Sequence, residues 1–167
     1  MASLLVALAL GACLSPVRTR PAPPDPGTRV RRPEPTPRVE RTVDGRIAFA
    51  RSLLGSAYRY GGETPRGFDC SGFARYVFTA GGLSLPRTTE EQAEAGRWVP
   101  LDELAAGDLV FFSEVGGKPH HVGIVVSRPG EPLRMIHAST SRGVVETDVL
   151  TGSYWLRRLR FGRRVSG

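Results

Sequence analysis

The apolar residues of this chain change their spacing at Gly107, and that change limits the folds open to it. Ahead of Gly107 they recur at helical intervals. After it they alternate, in short runs separated by turn residues. Residues 108–113 read as one strand, followed by a glycine-rich hairpin at Gly116-Gly117. Further strands are expected at 121–126, 133–137 and 144–149, and a last one at 157–165 with Leu159 and Phe161 facing inward. Short loops between consecutive strands imply an antiparallel sheet. Helices first and sheet afterwards give an α+β fold, with the N-terminal helices packed on that sheet.

Two helices are expected ahead of the sheet. In residues 44–55, Asp44 is the capping residue, Gly55 the terminator, and Ile47, Ala50, Leu53 and Leu54 the apolar stripe. The second begins at Cys70 behind Asp69, carries Cys70, Phe73, Ala74 and Val77 on one stripe, and ends at Gly81-Gly82. Thr88 or Thr89 should cap a short helix running to Gly96, and residues 101–104 should form a single turn. Tyr58 and Tyr60 alternate as in a short strand, and residues 63–68 read as a loop leading to Cys70.

Composition divides the chain. Eight of the 14 prolines lie before residue 40. Residues 14–43 are rich in proline and arginine and poor in large apolar side chains, so they read as an extended tether. The compact domain is expected over 44–167. The formal charge is +7; residues 14–43 hold seven arginines against Asp25, Glu34 and Glu40, or +4, which leaves 7 − 4 = +3 for the domain. That balance argues against a nucleic-acid partner and suits an anionic polymer or surface. Residues 2–10 form an apolar run of signal-peptide length, and Leu10-Gly11-Ala12-Cys13 resembles the lipobox of bacterial lipoproteins, with Cys13 as the lipidated residue. No Lys or Arg precedes Arg18, a departure from the usual positive leader. With Cys13 lipidated or removed, Cys70 is unpaired.

A cysteine in the first turn of a helix feels the positive end of the dipole, which favours the thiolate. Two readings stay open at this point: an activated nucleophile, or a small apolar residue starting a core helix. A nucleophilic thiol needs a base and usually a group that orients the base. Alternation puts His121, Gly123 and Val125 on one face of their strand, with Gly123 leaving room for the cysteine helix. His137 ends the next strand and can neighbour His121; a helix carrying Cys70 on that face would complete a Cys–His–His line. His120 alternates to the other face. Three unrelated histidines remain the competing reading. Cys70 and three histidines lack the paired short spacing of a structural zinc site, so no metal is expected.

DCSGF, the preceding YRYGG, the LPR before a capped helix, GDLVFF, HVGIVV and MIHAS, in this order and at these separations, resemble the NlpC-type family of papain-like peptidoglycan endopeptidases. The resemblance runs from about Ile47 to Val165. It implies a papain-like fold with Cys70 as nucleophile, His121 as general base and His137 as the group that orients it. It also implies Tyr58 near the oxyanion site, with the Cys70 amide as second donor there. Asp69 and Ser71 match positions that contact a substrate's peptide amine in some members, helix capping being the alternative. Arg87 matches a structural arginine, and Arg157, Arg158, Arg160, Arg163 and Arg164 read as a solvated sheet edge.

The resemblance thus implies a monomeric cell-wall cysteine peptidase acting on peptidoglycan stem peptides or cross-links without a cofactor. It would sit in the cell envelope, on the periplasmic side, anchored to the outer membrane through Cys13. Two rivals are an acyltransferase or amidase passing through the same thioester, and a non-catalytic wall-binding lipoprotein.

Overall fold

Asp69 starts the central helix. Its side chain accepts from the Gly72 amide at 2.7 Å, capping α2 (Cys70–Ala80), and Gly82 leaves the far end at φ +81°. The computed structural model describes residues 37–166. The expected signal segment, Cys13 and the tether as far as residue 36 lie outside these residues. None of the described helices is long and apolar enough to cross a membrane.

Ahead of α2, α1 spans Val43–Ser52 and is capped by Thr42 rather than Asp44; the Thr42 hydroxyl accepts from Gly45 at 3.0 Å. Asp44 sits inside the first turn, where the dipole favours it. Because the helix stops at Ser52, Leu54 falls off the stripe and is 44% exposed, while Ile47, Ala50 and Leu53 are buried. The expected loop at 63–68 is a small hairpin of β1 (Glu63–Thr64) and β2 (Gly67–Phe68). Tyr58 bridges Phe68 in parallel, whereas Tyr60 is exposed and belongs to no strand.

Thr88 caps α3 (Thr89–Gln92) in a full capping box with Glu91. This helix ends well before Gly96, and Arg97–Val99 is a strand, β3, that the sequence reading omits. A single turn follows at Leu101–Glu103. Then come β4 (Leu109–Phe112), β5 (His121–Val125), β6 (Arg134–Ser139), β7 (Gly143–Asp148), α4 (Ser153–Arg158) and β8 (Leu159–Arg164). The sheet is antiparallel throughout in the order β3-β8-β4-β5-β6-β7.

Two expectations about the last segment change. Residues 157 and 158 close α4, and β8 is an interior strand between β3 and β4. The arginines of this segment are paired rather than simply solvated: Arg158 of α4 with Glu114, and Arg163 and Arg164 of β8 with Glu94 and Asp108. A register shift in the β4–β8 pairing leaves Leu159 and Phe161 packed in different clusters.

Alternation gives the sheet two apolar faces. Leu109, Phe111, Val122, Ile124 and Ile136 form one with Phe73, Ala74 and Val77 of α2. Val110, Phe112, Val125 and Met135 form the other with Trp155 of α4. The cysteine helix thus covers the Val122 face, not the His121 face expected for it. The room left by Gly123 is taken by Met135, whose sulfur lies 2.6 Å from an ideal Cβ there.

Gly72→Ala tests how tightly α2 is seated. Helix propensity alone favours alanine by about 1 kcal/mol. A Cβ would stand 2.1 Å from the backbone carbonyl oxygen of Gly62, which cannot swing aside. Chemical denaturation should show a loss of about 1–3 kcal/mol, the range for overpacking. Gly152→Ala, with nothing within 4 Å, should stay within about 0.5 kcal/mol. Equal stabilities would refute the close seating.

Candidate active site

The first turn of α2 meets the start of β5. Cys70 is free and partly buried, and its sulfur lies 3.6 Å from the Thr89 hydroxyl and in hydrogen-bonding reach of the Val122 backbone amide. A groove of about 410 Å³ brings Cys70 together with Tyr58, His121, Arg142, Tyr154 and Trp155. His120 also lines the groove, and its own backbone amide donates to Phe112. Although cysteine and histidine come from opposite faces of the sheet, they converge because His121 is the first residue of its strand.

His121 and His137 are joined. His121 Nε2 lies 2.9 Å from His137 Nδ1, and His137 Nε2 lies 3.1 Å from the Thr147 hydroxyl on β7. Arg142 donates to the same hydroxyl oxygen at 3.5 Å. Trp155 covers the pair, its ring centroid 4.9 Å from each imidazole. His137 is fully buried. Burial, and then the neighbouring His137 and His120, bring the His121 pKa down to about 3. Burial and the Arg142 charge bring His137 to about 4. Both rings are therefore neutral at physiological pH, as a proton acceptor must be.

The thiol does not follow the helix-dipole expectation. Burial pushes the Cys70 pKa up, outweighing the hydrogen bonds from Thr89 and Val122, and the Asp69 charge adds to the rise. The resting site is thus a neutral thiol beside neutral imidazoles. Tyr58 is also held protonated, its pKa raised by burial and then by Cys70 and Asp69, so its hydroxyl remains a donor.

Asp69 and Ser71 stand behind the thiol rather than in the groove. Asp69 is buried, and both its oxygens are committed: to the Gly61 and Gly72 amides, the Ser71 hydroxyl and the Arg87 guanidinium. Ser71 is bound in turn by Arg87 at 3.0 Å. Arg87 also pairs with Glu63, as does Arg75, locking the hairpin to the helix start. The sequence gives Thr89 only as a possible helix cap and offers no site role for Thr147 or Trp155. An aromatic pair at 154–155 is the one local signal of a cover over the groove. Among the described residues no group of three or more His, Cys, Asp or Glu side chains gathers to hold a metal.

Comparison with known proteins agrees with the fold. The family model described as the NlpC/P60 family matches residues 55–164. The chain is 38% identical over 132 residues to the gamma-D-glutamyl-L-lysine dipeptidyl-peptidase of Bacillus subtilis, covering 78% of this chain and 43% of that protein. It is 43% identical over 112 residues to the murein DD-endopeptidase MepS/murein LD-carboxypeptidase of Escherichia coli, covering 66% of this chain and 56% of the other. The match thus spans less than two thirds of either relative. A crystal structure of an NlpC/P60 family protein from Bacillus cereus superposes with a TM-score of 0.68 at 30% identity, over 78% of this chain and 41% of that one.

The raised thiol pKa makes a kinetic prediction. Alkylation of Cys70 by iodoacetamide should accelerate as pH rises beyond neutral, because only the thiolate reacts. A rate that stays on a fast plateau below neutral pH would mean a preformed thiolate and would contradict the burial argument.

Proposed function

The chain belongs to the NlpC/P60 family, and on that footing we propose that it is a cysteine endopeptidase cutting peptide bonds in peptidoglycan stem peptides or cross-links. The observation that carries the proposal is the 2.9 Å contact between His121 and His137 at a groove that also holds Cys70. The names of the relatives, which include peptidoglycan peptidases, point to the same substrate class.

The reaction begins with a neutral pair. His121 takes the Cys70 proton as the sulfur attacks the peptide carbonyl carbon, so thiolate character develops only as the C–S bond forms. Tyr58 and the Cys70 amide at the helix start donate to the oxyanion. The tetrahedral species collapses, the C–N bond breaks, and the leaving amine receives the proton from His121. Water then attacks the thioester, again giving its proton to His121. The thiol is restored, and one water has been consumed per bond cut.

Thr147 completes this proposal. When its hydroxyl oxygen accepts from His137 Nε2–H, His137 Nδ1 is bare and accepts from His121 Nε2–H. His121 Nδ1 then carries the lone pair needed by a base. The Arg142 contact is compatible with that direction, because the hydroxyl oxygen has two lone pairs and can accept from a guanidinium and an imidazole N–H together. Asp69 and Ser71 hold the helix start in this scheme instead of meeting substrate. The cell envelope, and anchoring there through Cys13, belong to the same proposal.

Muropeptides incubated with the protein and resolved by mass spectrometry test it. Wild type should release fragments that together gain one water, and Cys70→Ala should release none. Thr147→Val should lower kcat by about tenfold or more with KM little changed, whereas Thr147→Ser, which keeps the acceptor, should stay within about threefold. Products formed equally by Cys70→Ala, or none from wild type, would sink the hydrolase reading.

A further inference from the structure

The other end of α2 holds a second cavity. About 630 Å³ in volume, it opens between the start of α1, the Gly81-Gly82 turn, the residues before β4 and the end of β8. It shares no lining residue with the groove at Cys70. With α2 eleven residues long, a rise of 1.5 Å per residue sets the two sites about 16 Å apart.

Two arginine side chains converge there on adjacent glycines. The Arg46 stem crosses Gly81 so closely that a Cβ would stand 2.5 Å from its Cγ. The Arg41 Nε lies 3.0 Å from the place of a Cβ on Gly82. Arg46 is only 8% exposed, and its buried Nε has no hydrogen-bond partner among the described residues. Its guanidinium rests over the Phe78 ring at 5.6 Å, which shields it without neutralising it. Neither arginine belongs to any ion pair among the described residues.

Among the described residues the wall offers no spare anion. Its one carboxylate, Asp108, is taken by Arg164 through two contacts of 2.7 Å and also accepts from the Ala105 amide. Arg41, Arg46 and Arg164 against Asp108 give 3 − 1 = +2. The C-terminus of α2 supplies about half a negative charge, too little to balance it. A buried cation without a counterion is costly, and an incoming anion would remove that cost. Burial already depresses the Arg46 pKa, in keeping with an unmatched charge. Val43, Leu83, Ala106 and Val165 make the remaining wall apolar.

We infer that this cavity is a binding site for a small organic oxyanion, a carboxylate or phosphate ester, gripped by Arg46 and Arg41 with its body against the apolar wall. Guanidiniums present forked donors suited to either group. The size falls in the range of ligand pockets and exceeds the need of a bare ion. The inference does not depend on the reaction proposed at Cys70.

The test is an NMR titration of the full chain, followed at the Arg46 Nε–H and Gly82 amide signals. The probes are glycerol 3-phosphate and N-acetylalanine, with sodium chloride at matched ionic strength as control. Saturable shifts with either probe, absent with chloride, are expected, and the tighter probe identifies the phosphate or carboxylate source. Followed at Gly82, Arg46→Met and the milder surface change Arg41→Gln should each weaken binding by about tenfold, the scale of one lost charged contact. Cys70→Ala should bind as wild type does. Shifts no larger than chloride produces, or unchanged affinity in Arg41→Gln and Arg46→Met, would overturn the site.

Discussion

The Asp69 carboxylate is the interaction on which the rest of the active centre depends. It caps α2, binds the Gly61 amide of the preceding turn and pairs with Arg87 after the helix. Through Arg87 and Glu63 the same network reaches the small hairpin. One side chain therefore fixes three segments around Cys70. Burial works against the charged form of Asp69, but Arg87 and the two amides outweigh it and hold its pKa below the ordinary carboxylate value. Stability from this group is present above the unfolded carboxylate pKa and is lost as pH falls through the depressed folded value.

The neighbouring histidines obey the opposite demand. Trp155 and Phe112 pack against His121, which is half-buried at the groove, and His137 is sealed beneath, so the charged form of either ring is disfavoured. The thiol is desolvated as well. A site of this kind does not store a thiolate–imidazolium pair. In the proposed reaction, acid and base stay neutral and the proton moves only when a carbonyl arrives, with Thr147 holding the orientation of the chain behind them. The helix start contributes geometry and an oxyanion donor more than it contributes acidity.

Much of this was legible in the sequence, for local reasons. Asp69 before Cys70, Gly81-Gly82 after the helix, and the alternation through His121 and His137 are signals within a few residues of what they specify. The misreadings arose where distance in sequence mattered. Alternation divided β5 into two faces but could not say which one α2 covers, because that turns on Met135 filling the space beside Gly123. The insertion of β8 between β3 and β4 pairs residues near 98 with residues near 163, and no local pattern reports it. Thr147 and Trp155 reach the histidines only once sheet order and α4 are in place. The dipole is visible at the helix start in the sequence and burial is not, so the sequence points to a more acidic thiol than the buried one found.

The proposed reaction rests on one central claim: that His121 is a neutral base, protonated on Nε2 toward His137 and bare on Nδ1. Nitrogen-15 NMR of the imidazole rings at about pH 6, below the ordinary histidine pKa, measures this directly. The account predicts neutral rings at both His121 and His137, with the His121 proton on Nε2. An imidazolium signal from His121 at that pH would mean a preformed ion pair with Cys70 and would contradict it.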